Sequence, residues 1–134
     1  MKQYEVIIEI LNKPNRNGRI YTEECIRKAL EDPICQERLQ THTMFIEGFS
    51  NDATQPEVDI NKVTGVADSL FIEEDRLKGI VTMFTDETPL SRSGVFNNDE
   101  EPTIRLCGMG YVNEKGEVEI DSYTLDKLIQ VQKD

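Results

Sequence analysis

The opening residues constrain the fold more than anything that follows. Tyr4, Val6, Ile8 and Ile10 alternate with Gln3, Glu5 and Glu9, which is the period of a strand with one buried face. Asn12-Lys13-Pro14-Asn15-Arg16-Asn17-Gly18 then stops it. Asn, Pro and Gly supply turn conformations there, and Asn17-Gly18 readily accepts positive φ. An apolar strand face of this kind needs other strands against it, and the rest of the chain supplies candidates.

Val63 to Ile72 and Leu77 to Phe84 read as two strands joined at Glu73-Glu74-Asp75, an antiparallel hairpin. Thr103 to Val112 returns to strand character. Asn113-Glu114-Lys115-Gly116 is a hairpin turn with Gly116 in the left-handed position. Val118 and Ile120, alternating with Glu117, Glu119 and Asp121, form the answering strand. From His42 to Phe49 the chain looks extended, residues 50–60 read as an acidic loop, and residues 85–101 as a long one. Periodicity leaves Tyr123 to Val131 open between strand and helix.

Helical signals are confined to one region. Thr22 suits an N-cap, with Glu23 and Glu24 in the first turn. Ile26, Ala29 and Leu30 share a face, giving a short amphipathic helix. Pro33 ends it or starts a second short turn, with Ile34 and Leu39 facing inward. These elements predict an α+β fold in one domain over residues 1–134. Its centre is a closed or nearly closed antiparallel β-barrel of about six to seven strands with one or two short flanking helices, since closure removes exposed edges.

Composition narrows the function classes. The net charge of −11 argues against binding nucleic acid through its phosphates, which needs a basic face. No apolar run reaches the ~18 residues of a membrane helix, and the N-terminus lacks a signal-peptide core. Cys25, Cys35 and Cys107 are an odd set without CxxC spacing, expected as reduced thiols in a cytoplasmic compartment. His42 is the single histidine, so no His-Cys zinc pattern can be assembled. Asp52, Glu57 and Asp59 lack the spacing of a calcium loop, and no phosphate-cradling glycine motif is present. No metal or cofactor is expected.

The order of segments resembles a known family. Asn15-Arg16-Asn17-Gly18-Arg19-Ile20-Tyr21, placed after a first strand and before a helix, is similar to the N-R-N-G-R-I-Y-P segment of tailed-phage prohead core proteases. Those serine peptidases share the β-barrel fold of the herpesvirus assembly protease. The resemblance continues through Val58 to Val63, Glu74 to Gly79, Thr88-Pro89 and the Gly108-Met109-Gly110 strand, covering about residues 2–130. The motif at Asn15 to Tyr21 reads as structural, locking the first strand to the helix.

The resemblance implies a serine nucleophile activated by a histidine. The family's histidine sits in a G-E-L-D-H-P-like segment, which corresponds here to Phe45-Ile46-Glu47-Gly48-Phe49-Ser50-Asn51 and holds no His. Its serine sits in an S-S-R-G-x-G-like strand, which corresponds here to Arg105-Leu106-Cys107-Gly108-Met109-Gly110 and holds no Ser. Two substitutes are conceivable. His42 with Cys107 would make a thiol dyad, although Cys107 occupies the family's arginine slot. Ser91-Arg92-Ser93-Gly94 would be a displaced serine motif, although no strand pattern follows it.

The expectation is therefore a non-catalytic, protease-like phage or prophage protein, with no catalytic residue assigned. It would act by protein binding in capsid assembly, as scaffold component or regulator, through capsid-assembly proteins or self-association. It would work in the cytoplasm of an infected or lysogenic cell, in association with the prohead. The alternatives are a capsid maturation peptidase using Cys107 and His42, and an acidic phage protein that binds a basic host target.

Overall fold

The computed structural model describes residues 1–49, 57–84 and 100–132. Its elements are β1 (Lys2–Ile10), α1 (Glu23–Glu31), α2 (Pro33–Gln40), β2 (Phe45–Phe49), β3 (Val63–Glu73), β4 (Arg76–Met83), β5 (Thr103–Met109) and β6 (Thr124–Val131). A short 3-10 turn, Ile60–Lys62, leads into β3. The tail left open by periodicity is thus a strand, inserted between β2 and β5.

The six strands make one sheet in the order β1-β4-β3-β2-β6-β5. Here the structure corrects the barrel expected from sequence. The β2–β6 pair is parallel, with Ile46 opposite Leu128 and Phe49 opposite Val131, so the sheet is mixed rather than antiparallel. It is also a curled half-barrel rather than a closed barrel. The edge strands β1 and β5 approach within 8 Å between Cα atoms without joining in a ladder. A parallel pair cannot be made by a hairpin and needs a long crossover. Local turn signals therefore could not reveal it. The answering strand expected after Gly116 is reduced to isolated bridges, Ile20 with Glu117 and Val112 with Val118.

Both helices are capped as their sequences dictate. Thr22 accepts from the Cys25 amide at 3.2 Å. Asp32 accepts from the Ile34 amide at 2.8 Å, with Pro33 in the first turn of α2. A Ser, Thr or Asp cap of this kind stabilises a helix by about 1 kcal/mol. Cys25, Ile26 and Ala29 face the core from α1. The second turn expected at Pro33 is a full helix, and Ile34 points out (55 % exposed) while Cys35 is buried. With the N-cap at Asp32, Ile34 falls on the solvent side of the first turn.

One cluster of apolar side chains forms the main core, including Val6, Leu11, Ile46, Leu77, Val81, Met83 and Leu128. A smaller one, Cys107, Ile129 and Val131, lies apart from it. Strand β1 departs from its simple alternation. A bulge between Ile7 and Glu9 shifts the register, so Glu9 stands opposite Leu77, a core residue. Ile10, expected inside, is 46 % exposed, and Leu11 is buried in its place. A bulge adds one residue to one strand and so reverses the faces beyond it.

Candidate functional site

The described residues form a cleft of about 420 Å³ where the half-barrel fails to close. The end of β1, the loop from Pro14 to Tyr21 and the middle of β5 enclose it. Its polar lining comes from Glu9, Asn15, Arg16, Asn17, Arg19 and Arg105, and its apolar lining includes Ile8, Leu106 and Ile129.

The loop owes its shape to Asn15. Its side-chain oxygen accepts from the amides of Asn17 at 2.9 Å and Arg19 at 3.0 Å. Its backbone bonds to Arg19 and Gly18 close the turn, and Gly18 takes φ +77°. An Asx turn of this kind followed by a left-handed glycine is a standard use of these residues. Asn12 ties the loop to α1 by accepting from the Glu23 amide at 3.1 Å. Ile20 exchanges backbone bonds with Gly116 (2.7 Å) and Val118 (2.9 Å) of the distal hairpin, whose Gly116 has φ +85°. Tyr21 packs edge-on against Tyr123, with ring centroids 5.2 Å apart. The segment from Asn15 to Tyr21 therefore joins the helix, the hairpin and the core while its arginines line the cleft.

Electrostatics in the cleft are uneven. Burial pushes the Glu9 carboxyl up to about 6, against the opposing pull of an Asn15 hydrogen bond and the Arg105 charge. Burial also raises the Cys107 thiol, only partly offset by Lys127, so the resting side chain is a thiol rather than a thiolate. Gly108 is required for space. A Cβ there would collide with the Thr124 carbonyl and come 2.6 Å from the Tyr123 hydroxyl.

A second charged site lies at the β2–β6 junction. Lys127 bonds Glu47 at 2.7 Å, and both side chains are 1 % exposed. The same ammonium donates to the Glu57 carbonyl at 2.7 Å, and Glu47 also accepts from the Asp59 amide at 3.1 Å. Lys127 is the cross-strand partner of Cys107. Buried charges are tolerated when paired and hydrogen-bonded on several sides, as these are.

The residues singled out in the sequence separate in space. Cys107 lies on β5, lines the cleft and is buried. His42 sits exposed in the turn after α2, in a left-handed conformation with φ 58°. Strand β6 lies between β2 and β5, which sets their backbones ~10 Å apart, and His42 precedes β2 by a further turn. The structure does not bring the two together. Gly108 lines the cleft, and Gly110 packs against Val118 and Tyr123. The Ser91 to Gly94 segment, Thr88-Pro89, Ser50-Asn51 and Asp52 lie outside the described residues.

Sequence reasoning missed Glu9, Arg105, Glu47 and Lys127. Glu9 looked like one more solvent-facing position until the bulge turned it inward. Among the described residues no group of three or more His, Cys, Asp or Glu side chains could hold a metal ion. No helix among them is long and apolar enough to cross a membrane.

No protein-family model matches the chain, and no curated protein matches it significantly. Its fold is nevertheless that of a solved structure. The chain is similar to the bacteriophage T4 capsid assembly protease, gp21, with a TM-score of 0.80 and 20% sequence identity over 98% of this chain and 81% of that one.

Proposed function

We propose that this chain is a protease-fold protein of a phage or prophage that works by binding during capsid assembly and does not cut peptides. The observation that carries the reading is the wall of the cleft. The stretch that would hold the family's serine is Arg105-Leu106-Cys107-Gly108, which lines the cleft without a hydroxyl. In the stretch that would hold the histidine, Glu47 is instead locked to Lys127. Fold and site are separable, so a barrel can be kept for binding after its chemistry is lost. The likeness in fold to a capsid assembly protease supports the assembly setting.

Co-expression with the coat and scaffold proteins encoded in the same genome tests this reading. Sedimentation of the assembled heads should carry the chain with immature particles, and the other proteins should keep their full lengths. Absence of the chain from every particle, or shortening of coat or scaffold that depends on it, would overturn the proposal.

A further inference from the structure

We infer that the exposed end of β5 and the hairpin after it form a docking surface for a basic amphipathic segment of another protein. Exposure is the first reason. Nine large apolar side chains stand exposed among the described residues, and three of them, Met109, Tyr111 and Val112, fall within four consecutive positions. Met109 is 63 % exposed and Tyr111 75 %. Side chains alternate along an extended chain, and a Cβ on Gly110 would stand 3.1 Å from Val118 and 3.2 Å from Tyr123. Gly110 therefore lies flush with the core, while Met109 and Tyr111 point away from it. Tyrosine and methionine are enriched at protein interfaces relative to the rest of the surface.

The surface is also held ready. The Tyr111 amide donates to the Ser122 hydroxyl at 2.9 Å, and the Tyr111 carbonyl accepts from the Glu119 amide at 2.7 Å. Asn113 accepts through its side-chain oxygen from the amides of Lys115 at 2.9 Å and Glu117 at 3.0 Å. With the Ile20 bonds already described, these fix the backbone beneath the two apolar side chains. Little ordering remains to be done on binding.

Charge selects the occupant. Between Met109 and Ser122 the chain carries Glu114, Glu117, Glu119 and Asp121 against a single cation, Lys115. Lys28 meets Asp121 at 2.7 Å, which leaves three acids to one lysine. A second copy docking by the same face would set these acids against their own equivalents, and like charges repel across an interface. A partner with lysine or arginine beside an apolar row matches both the acids and the apolar pair, and an amphipathic helix presents such a row. The net charge of −11 steers a cationic partner toward the chain.

Fluorescence anisotropy with the full chain at physiological salt tests the surface, using a labelled synthetic helix with leucine on one face and lysine on the other. That helix should bind about tenfold more tightly than one with glutamate in place of lysine, or one of the same composition in scrambled order. Met109→Ser and Tyr111→Ser should each weaken binding about tenfold. Ile34→Ser, at an exposed apolar position on α2, should leave it unchanged. Lys115→Gln should strengthen binding several-fold, a gain that damage to the fold cannot produce. The docking surface is overturned if the scrambled helix binds as well, if the hairpin variants behave like Ile34→Ser, or if Lys115→Gln weakens binding. Sedimentation that shows the free chain pairing, in a manner that Tyr111→Ser abolishes, would overturn it in favour of a second copy. None of these results depends on whether the chain joins immature heads.

Discussion

The β2–β6 junction and the β1–β5 seam both place charged side chains inside the sheet, and they treat them in opposite ways. At the junction Lys127 and Glu47 are 1 % exposed, 2.7 Å apart and held further by Glu57 and Asp59. At the seam Glu9 faces three arginines around an open cleft, and its carboxyl is pushed up to about 6. The junction matches charge for charge and shuts out water. The seam leaves its charged side chains along an accessible cleft. A balanced buried pair fixes structure, whereas a carboxyl at the edge of an open cleft keeps its proton to a higher pH.

The sharpest way to break this contrast is at the junction. Lys127→Met leaves Glu47 buried without its counter-charge, a loss of about 3–5 kcal/mol in urea unfolding. Pairing it with Glu47→Leu should restore most of that stability, because an apolar pair of similar volume replaces the ion pair. A single variant that costs under about 0.5 kcal/mol, the range of ordinary surface changes, would show that the pair is not the fastening described here. At the seam, Gly108→Ala should cost about 1–3 kcal/mol, the usual scale of forced overpacking, since its methyl meets the Thr124 carbonyl and Tyr123. Unchanged stability would mean that β5 and β6 are not so closely opposed there.

Glu9 gives a smaller, pH-dependent effect. Burial pushes its carboxyl from the ordinary 4.5 up to about 6 in the fold, so the folded state holds the proton more tightly than the unfolded one. The group's contribution therefore becomes less favourable as pH rises through that window, and the cost is complete above it. Glu9→Gln should be more stable than the parent chain by about 1 kcal/mol at neutral pH, allowing for solvent access. The gain should vanish below the ordinary carboxyl value of 4.5. A constant gain at all pH values would remove Glu9 from that role. The smallest effect belongs to the exposed pair of Glu23 and Arg27 on α1. Glu23→Gln should cost only about 0.3–0.5 kcal/mol and should fade in salt.

Much of this layout was legible in local sequence. The alternation from Tyr4, the Thr22 cap, the Glu73 to Asp75 turn and the left-handed Gly18 and Gly116 all depend on neighbours within a few positions. What depends on distant partners was not legible. The parallel docking of β6 on β2 joins Ile46 to Leu128, and nothing near either residue encodes it. Lys127 stands between Asp126 and Leu128 in β6, and only its meeting with Glu47 explains its burial. The bulge at Ile8 reversed Glu9 and Ile10, because one added residue in β1 is visible only against the register of β4. The cleft joins Arg16 and Arg19 to Arg105, and no spacing rule connects them. The motif at Asn15 to Tyr21 could be read as a turn, but its place in the cleft wall needed β5.

The central claim is that the fold persists here without peptide cleavage. Its most direct test is incubation of the full chain with a diverse peptide library, with products read by mass spectrometry. The account predicts no products above those of a buffer control, at any pH at which the protein stays folded. Reproducible cleavage that disappears in Cys107→Ser would contradict it and would place a working nucleophile on the cleft wall.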